Sequence, residues 1–368
     1  MKRFNHLFEV VTSYENLYQA YLNARRGKRY RDEVLRFTAN LEHNLFQIQN
    51  ELLTKKYCIG RYREFYICEP KKRLIMALPF KDRVVQWAVY QIINPLLDRQ
   101  FIEQSYACRK GKGVHKASED LQNAIRKMER TYERPYYLKM DVSKFFYRID
   151  HSVLLSILNK KIKDKDLMWL LGLVIHSDNM KFGVPLDDHN FDEERLKDIG
   201  IPIGNLLSQL FANLYLNELD QFVKHELHIH YYFRYMDDAI ILCEDKQELR
   251  RILEEIDLFL KFELKLQLNN KTAIRPTNTG VAFVGQRIWS THKKLSKSTA
   301  KKMKSRLKYL QKAYARGEVS LDSIKQTLMS YLGLMKHVEC YNLKRKLLNE
   351  FVLTRNSKYR EENSKKVT

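Results

Sequence analysis

The spacing of apolar residues divides the first part of the chain into helical and extended stretches. Residues 1–56 carry apolar side chains three and four positions apart without a proline, which predicts helix, and the polar run RGKRY at 26–30 predicts a break. Residues 62–80 are rich in Tyr, Ile, Phe and Leu around the turn signal EPKK, which predicts a two-stranded hairpin. Helical spacing returns in KDRVVQWAVYQIINPLLDRQF and again after the basic, glycine-bearing loop SYACRKGKGVHKA.

The middle of the chain alternates between strand and helix patterns without a regular repeat. Bulky residues in PYYLKMD (135–141) predict a strand, and a helix is expected from about His151. The acid-rich residues 176–200 predict a solvated connection. PIGNLLSQLFANLYLNELDQFVKHEL (202–227) predicts a long helix opened by a glycine turn, and HYYFRYMDDAIILCED (230–245) predicts a hairpin with MDD at its tip.

The last part of the chain is helical and basic. An amphipathic helix is expected after residue 245, then a strand, a turn and a strand within residues 265–289. Between Arg287 and Arg316 there are eleven Lys or Arg residues and no acid, on a helical pattern that extends to Leu348. Strands and helices that mix without regular alternation predict an α+β fold, with an antiparallel sheet backed by helices.

The net charge of the chain indicates the kind of partner that it binds. The 368 residues contain 66 Lys or Arg and 44 Asp or Glu, a net charge of +22, which favours a polyanion, nucleic acid above all. The longest apolar runs, such as MWLLGLVI (168–175), are far below the ~20 residues that span a bilayer, so no membrane partner is expected. Five scattered cysteines without a CxxC pair indicate a reducing, intracellular setting.

Three aspartates are the candidate chemistry. Asp237 and Asp238 lie between two apolar runs, and Asp141 ends the strand YYLKMD. Adjacent acids at a turn are also common without any function, since Asp is favoured there. An acid at the end of a core strand needs a partner, however, and carboxylates that converge on one point require cations. Hard oxygen ligands select Mg²⁺, and two such ions can clamp the oxygens of a phosphoryl transfer.

These motifs resemble the sequence blocks of reverse transcriptases. YMDD between two apolar strands follows KMDVSKFFYRIDH, which is similar to the family's first metal block. EPKKRLIMALPFKDRVVQ and SYACRKGKGVHKA resemble the fingers blocks, and IPIGNLLSQLFANLYLNELD resembles the helix that contacts the incoming nucleotide. NNKTAIRP, GVAFVGQRI and SYLGLMKHVECYNLKRKL resemble the last palm blocks and a thumb helix. Seven blocks in the family's order, over about residues 62–348, make this resemblance specific.

The resemblance implies a right-hand polymerase architecture with fingers, palm and thumb. The expected division is an N-terminal helical extension at 1–60, fingers interleaved with palm at 61–134, palm at 135–290, a basic helical thumb at 291–350 and a polar tail at 351–368. It also implies a two-metal site for Mg²⁺, or Mn²⁺ in its place. Asp141 and Asp237 would be the main ligands, with Asp238 and the carbonyl group of Val142 assisting.

Further residues take implied roles in binding nucleotide and template. Phe146 would be the steric gate that excludes a ribose 2′-OH, although an FF pair is also typical of core packing. Arg73, with Lys81 and Arg83 nearby, would grip the triphosphate unless these cations are solvated surface. Lys271 matches the lysine behind the active site. The basic helix at 295–316 suits an RNA–DNA duplex, and the alternative is a solvated lysine face.

One block departs from the general pattern. The usual glutamine is replaced by Ile203 and the usual proline by Gln209, around Gly204. Together these changes resemble the reverse transcriptases of diversity-generating retroelements, which are error-prone at template adenines. An isoleucine offers shape but no hydrogen bond to the incoming nucleotide and its template base, so discrimination should fall. The chain's end soon after the thumb is also expected of this subgroup.

The resemblance implies partners and leaves rival functions open. The expected partners are dNTPs, a template-repeat RNA, the RNA–DNA duplex and an oligomeric, small, basic accessory variability protein, in the cytoplasm of a bacterium or encoded by a phage. One rival is a retron or phage-defence reverse transcriptase. Others are a non-catalytic RNA-binding or maturase-like protein and a template-independent nucleotidyl transferase.

Overall fold

A computed structural model describes residues 3–67, 73–176, 181–184 and 195–355, with the side chain of Arg73 excepted. The turn EPKK and most of the acid-rich connection at 176–200 therefore lie outside the described residues. Within those residues the predicted α+β fold is confirmed, with helices, a two-stranded hairpin and antiparallel strands.

Four helices form the N-terminal stretch, as the apolar spacing predicts. They are α1 (Leu7–Thr12), α2 (Tyr14–Ala24), α3 (Asp32–Ala39) and α4 (Leu41–Leu53). The predicted break at 26–30 is confirmed, and further breaks occur at Ser13 and Asn40. Ser13 is the N-cap of α2, where its side chain accepts a hydrogen bond from Asn16 N.

The predicted hairpin and the helices around it are also present. Strands β1 (Arg63–Ile67) and β2 (Arg73–Ala77) pair antiparallel, with Phe65 opposite Ile75. Helix α5 (Phe80–Asp98) follows and packs against α2 and α10 (Leu206–Gln221). Helix α6 (Val114–Thr131) begins after Gly113, whose φ of 119° suits a residue without a side chain.

A four-stranded sheet occupies the middle of the chain. Its strands are β3 (Tyr136–Asp141), β4 (Tyr232–Tyr235), β5 (Asp238–Cys243) and β6 (Ala273–Pro276), in the order β4-β5-β3-β6. The helices between these strands are α7 (Phe145–Arg148), α8 (His151–Lys161), α9 (Lys165–His176), α10, a π-helical turn (Phe222–Glu226) and α11 (Lys246–Phe262). The helix predicted from about His151 is thus confirmed.

The C-terminal part holds a small sheet and three helices. A 3-10 turn (Thr277–Thr279) precedes β7 (Val281–Phe283), β8 (Gln286–Ile288) and β9 (Lys293–Leu295), which pair antiparallel in that order. Helices α12 (Lys297–Ala315), α13 (Leu321–Met335) and α14 (Tyr341–Glu350) follow. Met303, Leu307, Met335 and Leu347 form their buried core.

The chain divides into two compact units. The first comprises Met1–Gly111, Met140–Ala239 and Arg250–Thr272, and the second comprises Lys112–Lys139, Ile240–Leu249 and Ala273–Thr368. Asp141, Asp237 and Asp238 all belong to the first unit. The five-part division expected from the sequence stays a prediction. No helix among the described residues is both long and apolar enough to span a membrane.

Candidate active site

The three predicted acids lie where strands end and begin. Asp141 is the last residue of β3, and Asp238 is the first residue of β5, directly after a turn at Met236 and Asp237. Met236 has a φ of 55°, a left-handed conformation that is uncommon for a residue with a side chain and marks the tightness of the turn. All three aspartates are half-buried.

Hydrogen bonds join the segments that carry these acids. Val142 N donates to the carbonyl oxygen of Asp237 over 3.2 Å, so the residue after one acid is bonded to the other acid. Asn269 bonds Asp141 twice: its backbone N–H donates to the carbonyl oxygen at 2.7 Å, and its Nδ2 donates to Oδ2 at 3.1 Å. Val142 and Leu268 form an antiparallel bridge beside these bonds. Asn269 therefore holds both the backbone and the carboxylate of Asp141.

A buried ion pair supports the MDD turn. Arg234 Nε and Nη2 donate to the two carboxylate oxygens of Asp220, each over 2.6 Å, and both side chains are almost fully buried. Arg234 Nη1 also donates to the carbonyl oxygen of Met236 at 3.1 Å and to Asn213 Oδ1 at 3.3 Å. Ser105 Oγ accepts a further bond from Nη2 at 3.1 Å. One guanidinium group thus ties the turn to α10.

The electrostatics keep this arginine charged. Burial by itself would lower the pKa of Arg234, but the neighbouring Asp220 carboxylate outweighs burial and raises it. Burial, and then the charge of Asp220, raise the pKa of Tyr232, whose hydroxyl donates to Asp220 Oδ1 at 2.8 Å. A bidentate pair with its remaining donors satisfied is the arrangement in which a buried charge is tolerated.

Sequence reasoning missed Arg234, Asp220 and Asn269. A signal for the first two was present, because Arg234 interrupts the apolar run YYFRY and Asp220 lies near the end of the apolar helical pattern at 202–227. Charged residues in such positions are rarely buried unless they are paired. Asn269 carried no signal of its own beyond its place in NNKTAIRP.

The predicted nucleotide-contact block surrounds the start of α10. Ile203 is half-buried against an apolar cluster that includes Tyr62 and Met76, and its carbonyl oxygen accepts a bond from Met76 N at 3.0 Å. Gly204 has a φ of 120°, and a side chain there would place Cβ 3.2 Å from the Met76 carbonyl oxygen. Asn205 Nδ2 donates to the Tyr62 hydroxyl at 3.0 Å. This block therefore packs against β2.

A cavity of about 490 Å³ opens beside this block, and Gly204, Asn205 and the exposed Gln209 contribute to its wall. Its other walls are mostly uncharged, but cations outnumber acids in them. The charged lining residues among those described are Lys28, Arg31, Glu33, Arg61, Arg63 and Arg83. The excess of cations makes the cavity suitable for an anion such as a phosphate.

Two interactions among the lining residues affect the electrostatic field of the cavity. Arg83 forms an ion pair with Glu33, so one of its cations is compensated. Burial, and then the charges of Arg83 and Arg31, lower the pKa of Lys28. A lysine whose charge is disfavoured by its neighbours gains stabilisation when an anion enters.

The two phenylalanines of the FF pair differ in burial and in packing. Phe145 is buried and packs against Tyr215, with ring centroids 6.4 Å apart, so it is the core residue. Phe146 is half-buried, and its ring lies edge-on to Phe145 at 5.6 Å. The Phe146 carbonyl oxygen accepts a bond from Ile201 N at 2.8 Å, which links this segment to the chain just before Ile203. The gate role of Phe146 stays a prediction.

The remaining predicted cations have mixed positions. Arg73 begins β2, but its side chain lies outside the described residues. Lys81 is paired with Glu51, with Nζ 2.7 Å from Oε1. Lys271 is exposed, and its backbone N–H donates to Asn269 Oδ1 at 3.1 Å.

The donor chemistry for a metal is oxygen only. The carboxylates of Asp141 and Asp237 and the carbonyl group of Val142 are hard ligands of the kind that Mg²⁺ prefers, and water and substrate phosphates complete such sites. Within the part of the chain that is described, no group of three or more His, Cys, Asp or Glu residues lies close enough to hold an ion. The two-metal site therefore stays a prediction.

Comparison with known proteins identifies the family. A model of the family "Reverse transcriptase (RNA-dependent DNA polymerase)" matches residues 68–334. Protein YkfC of Escherichia coli is 27% identical over 286 residues, which cover 68% of this chain and 72% of that protein. The group II intron-encoded protein LtrA of Lactococcus lactis is 27% identical over 217 residues, 57% of this chain and 33% of that protein.

Solved structures that align with this chain include a telomerase. The telomerase of Candida albicans, solved with the TWJ fragment of telomeric RNA, aligns with a TM-score of 0.47 and 13% identity, over 80% of this chain and 56% of that one. The chain thus spans a little over half of that telomerase and a third of LtrA. The family match covers more than half of the chain, so the chain belongs to the reverse transcriptase (RNA-dependent DNA polymerase) family.

Proposed function

We propose that this chain copies an RNA template into DNA at the site formed by Asp141, Asp237 and Asp238. The observation that carries this proposal is the Val142–Asp237 backbone bond, because it brings the end of β3 next to the MDD turn. Asn269 holds the end of β3, and Arg234 holds the MDD turn. Such a rigid support is needed where positioning makes the largest contribution to phosphoryl transfer.

Asp141, Asp237 and the Val142 carbonyl group would hold Mg²⁺, with Asp238 beside them. The metal would supply charge neutralisation at the transferred phosphoryl group. Asn269 orients the Asp141 carboxylate through its Nδ2. Arg234 keeps the MDD turn in place by donating to the Met236 carbonyl oxygen.

The basic cavity beside Gly204 would receive the triphosphate of the incoming dNTP, together with the template base that pairs with this nucleotide. Its cations fit phosphate, and the glycine leaves room for close approach to the backbone. Phe146, half-buried next to the core residue Phe145, would meet the sugar and reject a 2′-OH. Arg73 and Lys271 would add contacts to the phosphates and the active site.

The finer assignment is a mutagenic polymerase of a diversity-generating retroelement. Ile203 supports it, since its side chain packs on an apolar cluster and has no hydrogen-bonding group to offer a base pair. The expected partners are then a template-repeat RNA and a small, basic, oligomeric accessory protein, in the cytoplasm of a bacterial host. Substitutions should be concentrated opposite template adenines.

Primer extension on a defined RNA with dNTPs and Mg²⁺ tests the proposal, with every product sequenced. The double variant Asp237→Asn/Asp238→Asn is the control. We expect cDNA from the wild type, none from the control, and errors mainly at template adenines. cDNA with few or evenly spread errors would show that the protein is a reverse transcriptase but would contradict the retroelement assignment. A retron-type or phage-defence enzyme would then be favoured.

A second function has one observation in its favour. The similar protein LtrA is named as encoded by a group II intron, and another similar protein is named as a nuclear intron maturase of Arabidopsis thaliana. RNA binding without catalysis would then be the activity. This second function predicts that the wild type binds RNA tightly and incorporates no nucleotide. A template-independent transferase would instead extend primers without RNA.

A further inference from the structure

A second basic cavity, of about 330 Å³, lies within the second unit. Helix α6, strand β9 and the segment after α13 form its walls, and none of the predicted catalytic residues lines it. The charged or titratable residues that line it are His115, Glu119, Arg126, Lys293, Lys336 and His337. Glu119 is the one acid among the described lining residues, so the cavity has an excess of positive charge.

Hydrogen bonds fix the walls relative to one another. Glu339 N donates to the carbonyl oxygen of Lys293 at 2.7 Å and ties β9 to the segment that carries Lys336 and His337. Arg126 Nε donates to the Ser290 carbonyl oxygen at 2.6 Å, which anchors the guanidinium group at the edge of the cavity. These bonds fix the guanidinium group of Arg126 and the backbone segments that carry Lys293 and Lys336.

Two histidines in the wall of this cavity are in direct contact. The rings of His115 and His337 are stacked, with centroids 3.6 Å apart and planes 30° from parallel. Two imidazolium ions at this distance repel strongly, and Lys293, Lys336 and Arg126 add to the repulsion. Burial, then the charges of His337 and Lys293, lower the pKa of His115. An anion in the cavity would relieve this repulsion.

We propose that this cavity binds the phosphodiester backbone of RNA, at a site separate from the polymerase centre. A forked guanidinium group and two ammonium groups match phosphate oxygens, and exposed imidazole rings can also stack on an unpaired base. His115, Lys336 and His337 are exposed, so a chain can reach them from solvent. The same unit carries the run of eleven cations between Arg287 and Arg316, which would continue the contact along a polymer.

The test is binding of a fluorescent single-stranded RNA to the full chain, without dNTPs or divalent metal, over a series of salt concentrations. The variant is Lys336→Gln/His337→Gln. The matched control is Lys127→Gln, an exposed residue of α6 that does not line the cavity. We expect the variant to bind about 3–10-fold more weakly and its salt slope to fall by about 0.7 per lost phosphate contact. An unchanged affinity and slope would overturn the proposal.

A pH series and a competitor sharpen the test. Protonated His115 favours the phosphate while Glu119 opposes it. Because the pKa of His115 is lowered, wild-type affinity should rise mainly from about pH 7 to pH 5, and His115→Gln/His337→Gln should lose that rise. The same rise in that variant would overturn the role of the histidines. Inorganic phosphate at millimolar concentration should not displace the RNA from the cavity. If phosphate displaces RNA from the wild type but not from Lys336→Gln/His337→Gln, the cavity is a site for single phosphates, and the RNA assignment is contradicted.

Discussion

Asn269 holds Asp141 by two hydrogen bonds, one from its backbone N–H at 2.7 Å and one from its Nδ2 to Asp141 Oδ2 at 3.1 Å. The second bond fixes the direction of the carboxylate that is expected to bind metal. It also leaves Asp141 Oδ1 as the oxygen that this amide does not contact. Asn269 is therefore a positioning residue for the proposed chemistry.

Asn269→Ala should slow nucleotide incorporation and raise the Mg²⁺ concentration needed for half-maximal rate, each by about 10-fold or more, because supporting residues of metal ligands have effects of that size. Asn270→Ala is the control, since Asn270 is the exposed neighbour. Single-nucleotide extension over a Mg²⁺ series measures both. Equal Mg²⁺ dependence in the two variants would show that the Asn269 bond has only a structural role.

Arg234→Met should destabilise the protein by about 3–5 kcal/mol, because it leaves Asp220 buried without its partner. Arg251→Met is the comparison: Arg251 pairs with Glu255 on the exposed side of α11, and such pairs contribute about 0.5 kcal/mol. Urea unfolding gives both values. A loss below about 1 kcal/mol for Arg234→Met would contradict the supporting role of this pair.

Phe146→Val should allow ribonucleotides. Removing the ring should raise the ratio of rNTP to dNTP incorporation by about 10-fold or more, which corresponds to ~1.4 kcal/mol of lost discrimination. Phe145→Val removes a ring from the core and should lower stability while leaving this ratio near the wild-type value. Competition between rATP and dATP in primer extension measures the ratio. Equal ratios in both variants would contradict the assignment of Phe146 as the steric gate.

Ile203→Gln should lower the error frequency opposite template adenine, because an amide can hydrogen-bond to a correctly formed pair and isoleucine cannot. Ile203→Leu keeps an apolar side chain of the same size and should leave the error frequency unchanged. Sequencing of cDNA from the three proteins on one template gives the comparison. An error frequency that is the same in Ile203→Gln and the wild type would assign the low fidelity to other residues.

Asp164 links α1 to α9 and should make stability depend on pH. Its carboxylate accepts hydrogen bonds from the backbone N–H groups of Leu7 and Phe8, each at 2.8 Å, and of Asp166 and Leu167, at 3.1 and 3.0 Å. Burial alone would raise the pKa of Asp164, but these four bonds lower it below its usual value.

A lowered pKa in the folded state stabilises the fold above the unfolded-state pKa of about 4, and this contribution disappears as the pH falls through the folded-state value. Asp164→Asn cannot accept the bonds at the Oδ2 position, and it should be less stable than the wild type by about 1–3 kcal/mol at pH 7. Thermal unfolding from pH 7 to pH 3 should show the difference shrink. A constant difference would contradict the linkage.

The apolar spacing predicted much of the fold, and the reasons for its misses are physical. The hairpin at β1 and β2, helix α10 and the hairpin around MDD have strong local patterns, so they could be found without tertiary contacts. Strand β9 was missed because it is three residues long and lies in a basic run. The breaks at Ser13 and Asn40 are caps and turns inside one long helical pattern, where periodicity alone carries no boundary.

The acids of the candidate site could be located from the sequence, but the residues that hold them could not. Asp141, Asp237 and Asp238 stood out as charges beside apolar runs. The Asn269–Asp141 bond joins residues far apart in the sequence, and the Arg234–Asp220 pair joins a strand to a helix. Only the tertiary fold brings these partners together.

Single-turnover extension of a primer on RNA, with wild type, Asp237→Asn and the control Asn270→Ala, tests the central claim most directly. The account predicts Mg²⁺-dependent, template-directed addition of dNTPs by the wild type and Asn270→Ala, and a loss of at least about 10³-fold in Asp237→Asn, as expected when a ligand of the catalytic metal is removed. Asp237→Asn that binds the primed RNA like the wild type and extends it at a similar rate would contradict the account.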